Sequence, residues 1–137
     1  MEIDNELLEQ IRLALRSEPE VLAGYIIGST VTGLTKSDSD FDLVVVVKNT
    51  KLIDADKVYK IVGHLPFPKD LDLSVVDKTS SPLFLFQIVS QGKRIYVPDQ
   101  AKIHQFEAFA MHNYYDTAHL RNIYEQALKQ KFTAYAN

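Results

Sequence analysis

Residues 41–47 read FDLVVVV, and this run constrains the fold more than any other. Valine is β-branched and favours extended backbone. Side chains alternate faces along a strand, so a run that is apolar at successive positions must be covered on both sides. Such a strand belongs inside a sheet sandwiched by helices, which predicts an α/β (α+β) domain with a small sheet at its centre.

The rest of the chain supplies matching parts. Leu8, Ile11 and Leu15 recur at helical spacing over residues 4–17, with Asp4 or Asn5 as the cap. Val21–Ile27 (VLAGYII) reads as a strand ending at Gly28-Ser29, and Thr30–Leu34 as a short helix or turn. Leu52–Val62 reads as a helix closed by Gly63, and Leu71–Val76 (LDLSVV) as a third strand. Ser81-Pro82 opens a helix through Ser90, with Gly92 just beyond it, and Arg94–Val97 forms a fourth strand. Asp99–Met111 and Asn113–Lys131 read as two helices, the second carrying an apolar stripe of Leu120, Tyr124 and Leu128.

Bulk properties exclude several classes. At 137 residues the chain suits one domain spanning 1–137 around a single core. The net charge of −3 offers no broad basic field for nucleic acid or an acidic membrane. With no cysteine there is no disulfide, thiolate nucleophile or sulfur-bound zinc. The acidic N-terminus MEIDNELLEQ has no signal-peptide core, and Leu43–Val47 is too short to span a bilayer. These features predict a soluble, cytoplasmic protein.

The chemistry concentrates before the valine run. Asp38, Asp40 and Asp42 alternate through GSTVTGLTKSDSDFDL, and the stretch admits three readings. An EF-hand starting at Asp38 needs Gly at its sixth position and Glu at its twelfth, but these are Leu43 and Asn49. A P-loop starting at Gly28 places Gly33 and Thr35 correctly but has Leu34 where the phosphate-binding lysine belongs. The third reading keeps Gly28-Ser29 as a phosphate contact and takes Asp40 and Asp42 as a metal pair. Residues two apart on a strand share a face, so Asp40 and Asp42 point together while Phe41 and Leu43 enter the core. Two such carboxylates suit two magnesium ions about 3.5–4 Å apart. This reading calls for a third carboxylate on a neighbouring strand. LDLSVV supplies Asp72 between two leucines, with Asp70 ranked behind it.

Gly-Ser, ten intervening residues, Asp-x-Asp and a later lone Asp on a strand resemble the nucleotidyltransferase superfamily. SDFDL, PLFLFQIVSQGKRIYVPD and FEAFAMHNYYDTAHLR are most similar to the minimal nucleotidyltransferase (MNT) antitoxins, over almost the whole chain. The resemblance implies a nucleotidyltransferase fold, a small mixed sheet flanked by helices with a helical C-terminus. It also implies an antitoxin that transfers AMP from ATP to a tyrosine of a HEPN-class RNase toxin. Gly28 and Ser29 would then hold the triphosphate, Asp40 and Asp42 the magnesium ions, and Asp72 would complete the site and help activate the tyrosine.

One position departs from the pattern. Many relatives carry arginine in Gly-Ser-x-Ala-Arg-Gly, whereas GSTVTG has Thr32 there, leaving Lys36 as the nearby cation. The alternatives are an antitoxin that acts by binding alone, or a small-molecule nucleotidyltransferase. Taken singly, Asp-x-Asp is most often a solvated turn, and His64, His104, His112 and His119 form no ligand pattern. Phe106, Phe109, Tyr114, Tyr115 and Tyr124 read as helical core or partner surface, and Lys129 and Lys131 as helix-end charges.

Overall fold

The computed structural model describes residues 4–27 and 40–136, with side chains through residue 133. The order is α1 (Asn5–Arg16), β1 (Val21–Ile27), β2 (Phe41–Val47), α2 (Ala55–Val62), β3 (Leu71–Val76), α3 (Pro82–Gln91), β4 (Lys93–Tyr96) and α4 (Gln100–Ala136). The strands lie in the order β3-β2-β1-β4. Strand β1 is antiparallel to both β2 and β4, while β2 and β3 run parallel, so the sheet is mixed.

The valine run behaves as its composition requires. Phe41, Leu43, Val45 and Val47 pack against Leu7, Leu8, Ile11 and Leu15 of α1 and Val58 and Val62 of α2. Val44 and Val46 point the other way, toward Leu85 and Ile88 of α3 and Ile103, Phe106 and Ala110 of α4. The sheet is therefore the middle of three layers, with β2 buried on both faces.

Local chemistry sets the helix starts. Asp4 accepts from the Glu6 N–H at 3.0 Å, and Asp54 accepts from the Lys57 N–H at 3.0 Å. The Asp54 cap starts α2 at Ala55, three residues later than the periodicity of Leu52 suggests. Ser81 caps α3 with Pro82 at its first turn. Gly92 then carries the chain straight into β4. A Cβ there would lie 2.4 Å from the Ile88 carbonyl oxygen and 3.0 Å from Ile27 Cγ2, so no larger residue fits.

One expectation is corrected at the C-terminus. The two helices expected over residues 99–131 are one helix, α4. His112-Asn113 contains neither glycine nor proline, so nothing there stops the helix. The stripe of Leu120, Tyr124 and Leu128 is exposed, which favours the partner-surface reading of Tyr124. No described helix is long and apolar enough to cross a membrane.

One buried carboxylate, which the sequence reading did not single out, ties the loops at the Val47 and Val76 ends of β2 and β3. Asp77 is 5 % exposed. It accepts from the Thr50 N–H and hydroxyl at 2.9 and 3.0 Å, and from the Thr79 N–H and hydroxyl at 2.8 and 2.5 Å. Burial works to raise its pKa, but these four donors outweigh it and hold the carboxyl at about 2. Removing the acceptor strands four part-buried donors, so Asp77→Ala should lose about 2–3 kcal/mol of stability in urea denaturation. A depressed carboxylate stabilises the fold above its unfolded pKa of about 3.9. The stability gap between wild type and Asp77→Asn should therefore be full at neutral pH and shrink as pH falls from about 4 toward about 2.

Candidate active site

The parallel register of β2 and β3 sets Asp42 directly beside Asp72. Neighbours in register project to the same face, which is the one bearing Val44, Val46 and Val76. Helices α3 and α4 cover the valine end of this face, leaving Asp42 half-buried and Asp72 exposed at the other end. Asp40 is exposed one step before β2.

The electrostatics show how closely the acids are coupled. Partial burial pushes Asp42 up to about 6, reinforced by a hydrogen bond with Asp72 and by the negative charges of Asp72 and Asp40. The apo site thus resists holding all its charge without a counter-ion. Its donors are carboxylate oxygens, the set that magnesium prefers. Among the described residues no group of three or more His, Asp or Glu side chains is drawn together enough to hold a metal. The sheet supplies a pair, with Asp40 close enough to act through its charge. Substrate phosphates and water ordinarily complete a magnesium shell of this kind, so the residues present fit such an ion.

The structure thus brings Asp42 and Asp72 together and sets Asp40 at their mouth. Asp70 is exposed, and its carbonyl accepts from the Phe41 N–H at 2.8 Å, which ties the entries of the two strands. Gly28, Ser29, the turn expected over Thr30–Leu34, Thr32, Lys36 and Asp38 lie outside the described residues. Ile27, which precedes Gly28 in the chain, pairs with Asp42.

A second polar cluster, which the sequence reading did not assemble, fixes the adjoining layer. The Tyr25 hydroxyl of β1 donates to Glu107 Oε2 of α4 at 2.6 Å. Arg94 of β4 donates to the same carboxylate through Nε at 3.0 Å and also through Nη2. Burial, followed by the Glu107 bond and charge, holds the tyrosine proton well above its ordinary pKa. Burial also works against ionisation of Glu107, but its two donors hold its carboxyl below the usual range. The cluster clamps α4 across β1 two residues before Ile27. Its one sequence signal is a tyrosine amid apolar strand residues, whose buried hydroxyl needs a partner.

Comparison with known proteins places this geometry. No curated protein matches the chain in sequence. Among solved structures, a toxin–antitoxin with AMP-PNP is 23 % identical, with a TM-score of 0.61, covering 91 % of this chain and 98 % of its own. A structure of the tri-AMPylated HEPN toxin of Shewanella oneidensis in complex with MNT antitoxin is 20 % identical, with a TM-score of 0.61, covering 92 % and 99 %. The MntA–HepT toxin–antitoxin is also 20 % identical, with a TM-score of 0.58, covering 94 % and 99 %. At these identities the likeness speaks for the fold. The family model for the polymerase beta nucleotidyltransferases matches residues 9–101, from α1 through the sheet and its acid pair to the start of α4. By that match, the chain belongs to the polymerase beta nucleotidyltransferase family.

Proposed function

We propose that this chain is a cytoplasmic antitoxin that silences a HEPN-class RNase toxin by transferring AMP from ATP to one of its tyrosines. The observation that carries the reading is the in-register Asp42–Asp72 pair at the open end of a nucleotidyltransferase sheet. Support for the partner comes from solved structures of the same fold that are toxin–antitoxin complexes, one holding AMP-PNP and one an AMPylated toxin. The reading takes residues 1–137 as one minimal nucleotidyltransferase domain.

In this proposal Gly28 and Ser29 contact the triphosphate, and Asp40, Asp42 and Asp72 hold magnesium. Magnesium, when bound, supplies positive charge against the developing negative charge on the attacking and leaving oxygens. The toxin tyrosine oxygen attacks the α-phosphorus in line, the bond to the bridging oxygen breaks, and pyrophosphate leaves. A tyrosine hydroxyl has a pKa near 10 and arrives protonated. Asp72, more exposed than Asp42, takes that proton as general base.

The direct test supplies ATP labelled at the α- or the γ-phosphate together with the product of the adjacent gene, the candidate HEPN-class partner. Label should reach the partner from α-labelled ATP only, and the double variant Asp40→Ala/Asp42→Ala should lose transfer by on the order of 10³-fold or more. Tight, neutralising binding without label would instead make this an antitoxin that acts by covering its partner.

The raised pKa of Asp42 gives a second prediction. A carboxyl with a pKa of about 6 is increasingly protonated below that pH and then offers no charge to a cation. Magnesium affinity, measured by calorimetry, should fall as pH drops through about 6, and more magnesium should shift the acid limb of activity downward. The sign for stability is the reverse of that at Asp77. A folded pKa above the unfolded value means that ionising Asp42 weakens the metal-free fold as pH rises. Asp42→Asn should therefore fold with an equal or higher melting temperature at neutral pH without magnesium, yet be inactive.

A further inference from the structure

The second half of α4 carries an exposed apolar stripe. Of the ten large hydrophobic side chains exposed among the described residues, six lie on α4 between Tyr115 and Phe132. Leu120 is 64 % exposed, Tyr124 66 % and Phe132 70 %. No described side chain of α4 beyond Ala110 is fully buried, although the helix continues for about 39 Å at 1.5 Å per residue. Isolated helix of that kind is marginal in water, and a contiguous apolar stripe of this extent marks an interface.

The stripe is one wall of a groove of about 480 Å³, whose other wall is Ser81, Pro82 and Leu83 at the start of α3. Arg121 sits in that groove already ordered. Its guanidinium stacks 4.0 Å over the Tyr114 ring, which stacks at 3.9 Å on Phe86. It also donates to Thr117 Oγ1 at 2.5 Å and to the Tyr114 carbonyl at 2.9 Å. Around it, from Tyr115 to Phe132, α4 carries three cations, Arg121, Lys129 and Lys131, against the two carboxylates of Asp116 and Glu125, a net positive charge in a chain of net charge −3. A second copy would add the same positive excess to the seam. A different protein presenting carboxylates beside apolar residues would neutralise it.

Resting on the function proposed above, we infer that this groove docks the HEPN-class partner itself, through an amphipathic helix carrying apolar residues and at least one carboxylate directed at Arg121. Two helices already form the walls, so a third completes the packing. Aromatic and arginine anchors in an apolar setting are what such interfaces rely on. The groove is also separate from the acids. Helix α3 begins just past the Val76 end of β3, and Asp72 lies toward the opposite end of that strand. The dock therefore holds the partner without occluding the acid pair.

The test titrates the product of the adjacent gene, the candidate HEPN-class partner, into wild type, Leu120→Glu/Tyr124→Glu, and Leu52→Glu, which alters an exposed leucine away from the groove. The double variant should bind at least about 30-fold more weakly than wild type. ATP binding and the circular dichroism spectrum should be unchanged, and Leu52→Glu should bind normally. Full-strength binding by the double variant overturns this inference and leaves the proposed function standing. Wild type that self-associates, and is made monomeric by the double variant, overturns it in favour of a second copy as occupant. Wild type that does not bind the HEPN protein overturns both the inference and the reading beneath it.

Discussion

The parallel ladder between β2 and β3 sets two things at once. It buries Val44 and Val46 on one face and Leu43, Val45 and Val47 on the other, and it aligns Asp42 with Asp72. These outcomes are inseparable because a strand has a side-chain period of two. A one-residue slip of β3 would turn Asp72 onto the α1–α2 face and expose Leu71, Leu73 and Val75, which pack there. The hydrophobic core therefore specifies the site. The apolar residues on alternate positions hold the carboxylates in register, and the acids occupy the stretch that α3 and α4 leave uncovered.

The polar clusters act on this frame from outside the ladder. Asp77 joins the loops that follow β2 and β3, so the pair is pinned at the end opposite its carboxylates. Tyr25, Glu107 and Arg94 pin α4 to β1 and β4. Each cluster contains one ionised carboxylate that is strongly solvated by protein donors, which lowers its pKa. Asp42 moves the other way because its partial burial is reinforced by acid neighbours rather than offset by donors. Donors surround Asp77 and Glu107, whereas like charges surround Asp42, so the shifts of these three carboxyls run in opposite directions in scaffold and site.

Much of this was legible in the sequence where a local rule decides it. The bounds of β1, β2 and β3 follow from apolar runs of strand length, and the Asp42–Asp72 association follows from placing one acid on each of two adjacent strands. Long-range pairing was not legible. Tyr25 and Glu107 are 82 residues apart, and nothing near either one names the other. The split of α4 at residue 112 failed because neither His112 nor Asn113 stops a helix, and a run of polar residues is not a break. The stripe of Leu120, Tyr124 and Leu128 was visible, but periodicity reports only that a face is apolar. Whether the fold's own core or another molecule covers it depends on tertiary placement. Gly28 and Ser29 stay a reading of spacing, since they lie outside the described residues.

The arrangement also bears on how so small a fold selects an acceptor. Asp40 and Asp72 are exposed and Asp42 is only half-buried, so among the described residues the acids lie on a rim rather than in a cavity. A rim makes few contacts to an acceptor's reacting group, and binding there alone gives little discrimination. Discrimination then has to come from contacts remote from the chemistry, whose free energy is used to position the reacting atoms. A groove on α3 and α4 fits that role because it is preorganised around Arg121 and lies away from the acid pair. On the function proposed, a protein held there presents its tyrosine at an effective concentration set by the tether rather than by diffusion. Under that constraint a protein acceptor suits an exposed acid pair better than a free small molecule, which brings no second surface to hold it in place.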